Sequence, residues 1–558
     1  MNRAKAEAFI RKYFVYGIAL VSMIVTPRMI LDPINAPKML LLFILSTAGV
    51  FLVAPHLGFY FKGKARILLI FTAVYILDLF LILFFADADF GQQIYGTFGR
   101  NNGILAYLGL MFVFLLGALT SNISSVARFL HGFVFVSIAS GIYGILQSKK
   151  IDPAGFVSLY SSAIGFLGNP DFFSAFHGLA LVASVGMLIL IKENKNLRYV
   201  YLISTLFNVY ALKIAGAKQG VLVAVIGIAL MIVILAYQRN KALGLSLTSV
   251  GFLGFIFIAL GLVNSGPLAS LIYKSSLEAR GYYWGAAWKM TVDQPFFGVG
   301  IDNFGSWYRR ARSDAAYQWL PTQETNAAHN VFLDFSSNGG FPFLILNLAL
   351  VVLVLLSFFS TIRKSEKLNP YYIIGFSMWV AFQAQLLISI NQIGNAVWGW
   401  ALGGILLGYS YFAIDAPASD KVEKSSKKRN VQNKEVLPAS DLLRITGGVI
   451  LAIVIVFPYW SSAVNFQSAI ESQTIEKIDQ ASTQKPFDVV RMVGSARVLS
   501  DNGNVEQART ILNVAVTAFP DSYGAWEALS KLPQTPDDRM KEIKAELLRL
   551  DPRTPVTP

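Results

Sequence analysis

The sequence predicts an all-α polytopic membrane protein with about thirteen transmembrane helices and a small helical tail outside the bilayer. Three observations predict it. Hydrophobic residues make up 54% of the 558 and charged residues only 14%, giving a mean hydropathy of +0.53. Apolar stretches long enough to cross a hydrocarbon core of roughly 30 Å recur as far as Trp460. The Lys and Arg residues between them also sort by parity, as cytoplasmic retention of basic loops demands.

In order, the apolar stretches are Tyr13–Met29, Pro37–Ala54, Ile67–Phe85, Gly103–Leu119, Phe129–Leu146, Phe172–Ile191, Tyr199–Ile214, Gly220–Tyr237, Leu245–Val263, Val331–Phe359, Tyr372–Ile390, Ala396–Ile414 and Leu442–Trp460. Tyr199–Ile214 is the shortest. Arg3, Lys5, Arg11 and Lys12 precede the first stretch as they would in a signal peptide, but no small-residue cleavage site follows, so it is read as a retained helix. Cysteine is absent, which excludes disulfides and cysteine-ligated metals.

With the N-terminus inside, Lys62, Lys64, Arg66, Arg128, Lys192, Lys195, Arg198, Arg239, Lys241, Arg363, Lys364 and Lys367 fall in cytoplasmic loops, together with the basic linker "KVEKSSKKRNVQNKE". The net charge of +14 is therefore mainly a topology signal. Nucleic acid is not expected as a partner, because the charges are scattered through short loops instead of forming one basic face. The same parity sends outward "ADFGQQIYGTFGRNNG", "GFLGNPDFFSAF", "AGAKQG", the long loop 264–328, "NQIGN" and everything beyond Trp460. Asp78 is the clear mid-span charge, and a carrier would show more of them.

The domain organisation that follows is a membrane domain over 1–414, a basic cytoplasmic linker over 415–441 whose composition reads as disordered, a last transmembrane helix over 442–460 and a soluble tail over 461–558. In the tail, "GNVEQARTILNVAVTAFPDSYGAWEALSKL" reads as helix, Pro-marked turn and helix, with Ala508, Leu512 and Ala515 on one face. It resembles a tetratricopeptide unit.

Chemistry concentrates in the long outer loop. In "SSLEARGYYWGAAWKMTVDQPFFGVGIDNFGSWYRRAR", Arg280, Tyr283, Trp284 and Trp288 stand at i, i+3, i+4 and i+8 on one helix face. Spacing alone leaves two readings open: an interfacial aromatic belt with a snorkelling arginine, or a binding face. Gly298 and Gly300 flank a turn after Pro295. His329 and Asn330 then enter an apolar helix that carries Gly-Gly further along. Arg-x-x-x-Trp, Asp-x-Pro-x-x-Gly-x-Gly-x-x-x-Phe and this His-Asn together resemble the periplasmic-loop signature of the O-antigen ligase family. "DPINAPK", "GTFGRNNGILAYL", "GNPDFFSAF" and "AGAKQGVLVAVIG" resemble the family's other outer-loop motifs, in order. In "AGAKQG" Lys218 stands where the family usually has arginine, so the charge is kept and the bidentate fork is lost.

The resemblance implies a GT-C-like fold and the transfer of a glycan from a polyprenyl (undecaprenyl) diphosphate to an acceptor hydroxyl. It implies no cofactor and no metal, an inverting outcome, and action on the outer face of the bacterial cytoplasmic membrane. The same fold serves O-antigen ligases, polysaccharide polymerases and protein O-oligosaccharyltransferases, so the acceptor is a lipid, a glycan or a protein. The expected roles are His329 as base and Arg280 as the cation on the leaving diphosphate. Lys218, Arg100, Asn330, Trp284 and Tyr283 are expected to bind diphosphate or glycan. The residue types suit that chemistry. Fixed cations stabilise a diphosphate that gains charge as the glycosidic bond breaks, and a histidine at headgroup depth can take the acceptor proton. On local sequence His329 also reads as a helix-end residue. Asn169 and Asp171 read as capping residues, and Asp293 and Asp302 lack the partners of a metal site. A lipid-linked glycan transporter and a scaffold using its tail are the rival readings.

Overall fold

A computed structural model describes residues 3–156, 162–192, 194–273, 275–413 and 438–554. The expected basic linker falls, as far as residue 437, outside the described residues. The first half of the membrane region holds α1 (Arg3–Met23), α2 (Asn35–Val53), α3 (Leu57–Lys62), α4 (Arg66–Phe85), α5 (Phe90–Tyr95), α6 (Ile104–Leu119), α7 (Ile123–Ser148), α8 (Pro170–Leu190), α9 (Lys195–Ala215), α10 (Lys218–Arg239) and α11 (Lys241–Leu262). The long loop folds into four short helices, α12 (Ala269–Ile272), α13 (Ser275–Asp293), α14 (Phe304–Ala311) and α15 (Asp314–Trp319). Then come α16 (Val331–Lys364), α17 (Pro370–Leu386), α18 (Ile393–Gly408) and α19 (Ala439–Ser472), and the tail helices α20 (Ile475–Ser482), α21 (Val489–Asp501), α22 (Val505–Ala518), α23 (Tyr523–Ser530) and α24 (Asp537–Leu550). Among the described residues there is no β-strand.

Each of the thirteen apolar stretches falls on its own helix, and the ends move by a few residues. The first helix, for example, stops at Met23 and turns before Met29. Eight spans are long and apolar enough to cross a membrane by length and composition, and α6 is apolar but shorter. This is a multi-pass, all-α membrane protein. Asparagine begins many of the helices: Asn122, Asn169, Asn194, Asn240, Asn330 and Asn369 each accept a backbone N–H of the first turn through the side-chain oxygen. Such caps satisfy donors that would otherwise be orphaned at a helix end.

The core forms where α6 packs on α18 and α2, α8 on α9 and α10, and α10 on α17. Large side chains interlock there, with Trp398 against Phe129 and Phe133. The α8–α10 crossing is close because it is glycine on glycine. A Cβ on Gly220 would come within 2.0 Å of the Ser174 carbonyl oxygen. α11 is the peripheral helix, packed on α10 and almost wholly exposed along its apolar length, as a lipid-facing helix would be.

One face gathers the loops that parity assigns together. Asn35 Nδ2 donates to the Gly99 carbonyl, Gln392 Nε2 to Asn35 Oδ1 and Asn102 Nδ2 to the Asn391 carbonyl. On the opposite face, Arg11 donates to the Thr120 carbonyl and Arg128 to that of Arg11. α19 runs unbroken past Trp460 to Ser472, so the last span and the start of the tail share one helix. The tail's core includes Ala508, Leu512 and Ala515, the face read from the sequence, packed with Trp526 of α23.

α16 is broken at Gly340, where φ is 72° and ψ −175°. The turn "DQPFFGVG" plugs the break: Phe341 N–H donates to the Pro295 carbonyl and Val299 N–H to that of Ser337. A Cβ at Gly340 would lie 2.6 Å from backbone atoms of Pro295 and Phe296. The Gly-Gly motif and the Pro-x-x-Gly-x-Gly motif are thus two halves of one joint. Gly340→Ala is expected to cost at least about 1 kcal/mol, since Ala is strained at positive φ and meets backbone there. A lower thermal midpoint of the purified protein in detergent checks it.

Candidate active site

The joint sets the start of α16, and the start of α16 sets His329. Asn330 caps the helix through bonds from the N–H groups of Phe332 and Leu333, and Asp334 Oδ1 accepts the Ala328 N–H at 2.7 Å. The chain enters through His329 in the left-handed region, φ 55°, a strained conformation that clusters at functional sites. The Tyr283 ring lies against the imidazole, centroids 5.7 Å apart, and Tyr283 packs in turn on Tyr308.

α13 brings Arg280 in. Thr291 Oγ1 donates to Ser336 Oγ at 2.9 Å, fixing α13 on α16, and Arg280 lies three turns earlier on that face. The loop between α5 and α6 brings Arg100. There the Asp302 carboxylate accepts the N–H groups of Thr97 (2.7 Å) and Asn102 (3.2 Å), while its carbonyl accepts Thr97 Oγ1 and Gln92 Nε2. Asn101 and Asp302 are both left-handed as well. Two segments about two hundred residues apart are thereby locked together.

The result is electrostatic. Burial pushes the His329 pKa down to about 4, and the positive charges of Arg100 and Arg280 push the same way. The imidazole is therefore neutral at physiological pH. Burial also lowers Arg280, against the opposing field of Asp171, and lifts Asp302 to about 6 although Arg100 and two backbone amides hold it down. Arg100 also interacts with Asp334. Neither guanidinium makes an ion pair within 4 Å or a side-chain hydrogen bond among the described residues. The fields of two half-buried guanidinium groups thus reach one neutral imidazole, which suits an anion site beside a base.

The other expected residues fall in different places. Lys218 opens α10 on the same face, beside the first turns of α8, where Ser174 Oγ donates to the Ala217 carbonyl; it is not among the groups that act on the imidazole. Asn330 spends its side-chain oxygen on capping. Trp284 lies partly buried in the cluster around Phe304 and Tyr308, its Nε1 without a partner among the described residues. Trp288, expected on the same face as Arg280, is 55% exposed instead, because the α13 face that meets α16 runs through Tyr283, Ala287 and Thr291. Asn169 caps α8 as its residue type suggests. Asp293 pairs with Lys289. Of the remaining histidines, His177 is buried between Asn208 and Ser140 and His131 bonds the Tyr201 hydroxyl.

Sequence reading missed Asp302 as the tie holding Arg100's loop, and it missed Asp334. Asp302→Ala removes the acceptor of the buried Asn102 amide, worth about 1–3 kcal/mol when left unpaired, and of the partly buried Thr97 amide. Its expected effect is about a tenfold loss in kcat/KM for the glycan donor, with Asp302→Asn intermediate, in steady-state transfer assays.

The family model described as "O-Antigen ligase" matches residues 203–348, from α9 to α16. The interval includes Lys218, Arg280, Tyr283, Trp284, His329 and Asn330. No curated protein matches the chain. The chain carries an O-antigen ligase family domain, and with it the character of a glycan-transferring, multi-pass membrane enzyme.

Proposed function

We propose that the protein transfers a glycan from a polyprenyl diphosphate carrier to an acceptor hydroxyl, on the extracytoplasmic face of the cytoplasmic membrane. The carrying observation is the convergence of Arg100 and Arg280 on a neutral His329, with no protein anion bound to either guanidinium among the described residues. A diphosphate at the headgroup level supplies an anion in direct contact with both. The bond from the sugar's anomeric carbon to the phosphate oxygen breaks, and the electron pair leaves with the diphosphate between the two arginines. The acceptor oxygen attacks the anomeric carbon from the opposite side, which inverts it, and its proton passes to His329. Because charge grows on the diphosphate as the bond breaks, the arginines stabilise the transition state more than the bound donor. No metal or cofactor takes part in this scheme. Lys218 serves the carrier phosphates as a point charge, and Tyr283 holds the imidazole plane. The outward assignment rests on the basic loops gathered at the opposite face.

The test is reconstituted transfer from a defined polyprenyl diphosphate glycan. Arg280→Ala is expected to lower kcat by about 10²–10³, and Arg280→Lys to recover only part of it. Unchanged rates in both variants would remove the arginine from the mechanism.

A further inference from the structure

A cavity lies away from His329, between the tail and the membrane region. It encloses about 790 Å³, within the range of ligand sites. Its floor is the outer end of α19 from Tyr459 onward, with Gln473 just past it. The loop before α2 and Phe98 form one wall, and α20 and α21 the other.

The cavity is graded. At the Tyr459 end sit Asp32, Asp488, Arg491 and Ser462, all linked to Tyr459 or to one another. At the far end, about 16 Å along the helix, the walls are Ile470, Ile475, Ile478, Val498 and Leu499. Val498, Val490 and Ile470 are 52%, 49% and 38% exposed, an unusual outlay of apolar surface on a segment beyond the last span. Ser495 lines the cavity 4% exposed, and its hydroxyl has no partner among the described residues.

The polar end touches the candidate active site. Phe98 lines the cavity and Arg100 is two residues on, while Asn101 Nδ2 donates to the Tyr459 hydroxyl at 2.7 Å. One loop therefore separates the cavity from the diphosphate site.

Charge and position choose among occupants. The charged groups are two carboxylates against one guanidinium. Arg491 is already held by Ser462 Oγ and the carbonyls of Ser482, Gln484 and Pro486, so a phosphate finds no open cation. On the topology read from the sequence, the apolar end is also the one farther out along α19, opposite to what an anionic lipid with its chains in the membrane needs. An uncharged, partly apolar polypeptide fits both conditions, and about 16 Å holds some five extended residues. We infer that this cavity is an acceptor site for an extended polypeptide segment, which presents a Ser or Thr hydroxyl past Phe98 to the candidate active site. This rests on the proposed transfer reaction for its direction, but the binding itself is independent of it.

The test uses the full chain in nanodiscs and a fluorescent nine-residue peptide of Ala, Val and Gly with one central Ser. Binding is expected to weaken at least tenfold in Val498→Glu and in Ile475→Glu. It should hold in Leu548→Glu, a similarly exposed apolar site on α24 outside the cavity, and should persist when phosphatidylglycerol vesicles compete. No binding to the wild type, equal binding to all variants, or displacement by the vesicles overturns the proposal, the last in favour of a lipid. Release of polyprenyl diphosphate from the donor is followed in parallel. Peptide binding without donor cleavage would sink the transfer reaction alone, and cleavage without peptide binding would sink the cavity assignment alone.

Discussion

His329→Ala lowers the rate of glycan transfer by about 10²–10⁴, the usual contribution of a positioned base, while the KM for donor changes little because the arginines remain. The pH profile carries a sharper signature. A base must be unprotonated, so activity falls as pH drops through the imidazole pKa. In the free enzyme that pKa is depressed to about 4 by burial and by Arg100 and Arg280, so the acid limb of kcat/KM lies near there. A bound diphosphate offsets the two positive charges, and the depression that they cause is relieved. The acid limb of kcat, which reports the complex, therefore lies at higher pH than that of kcat/KM. Steady-state rates from about pH 3 to 8 with a defined donor separate the two limbs, and coincident limbs would mean that the donor's charge does not reach His329.

The second large effect is far from the chemistry. Asp551, at the end of α24, is 0% exposed and accepts from Arg309 at 3.1 Å and from Arg312, also 0% exposed, at 2.6 Å. Arg310 pairs with Asp521 and Arg553 with Asp314 around it. The tail thus grips α14 and α15, the segment that leads through Glu324, itself bonded to Arg309, to His329. Asp551→Ala leaves the fully buried Arg312 without its carboxylate and Arg309 with Glu324 alone. Breaking such a pair from one side costs about 3–5 kcal/mol, whereas the exposed Lys541–Asp538 pair is worth almost nothing. The expected result is a tail released from the loop, seen as rapid proteolysis between α14 and α16, and a transfer rate reduced together with it. Lys541→Ala provides the neutral comparison.

The legible parts of this chain were those that local physics dictates. Apolar length announced the helices, Asn169 announced a cap, and "DQPFFGVG" announced a turn, though not its joint with Gly339-Gly340. The joint explains why His329 is where it is, but the strain at His329 has no sequence signature, since its left-handed backbone is imposed by the Asp334 and Asn330 contacts. Asp302 was weighed only as a metal ligand without partners, because Thr97 and Asn102, which it holds, lie some two hundred residues upstream. Trp288 looked like a companion of Arg280 because helical spacing gives faces without saying which neighbour each face meets. The tail's own core was readable at Ala508, Leu512 and Ala515, but its grip on the long loop was not. Asp551 and Arg312 are separated by 239 residues, and nothing local distinguishes that aspartate from the exposed ones beside it.

The mechanism requires a diphosphate bound directly beside His329, held by Arg100 and Arg280. The most direct measurement is the proton uptake on binding polyprenyl diphosphate near pH 6, by calorimetry in two buffers of different ionisation enthalpy, for the wild type and for His329→Ala. An anion that relieves the field of the two arginines raises the imidazole pKa and draws a proton to it. The wild type is then expected to take up more protons per carrier bound than the variant. Equal uptake by the two proteins would contradict the claim and put the diphosphate elsewhere.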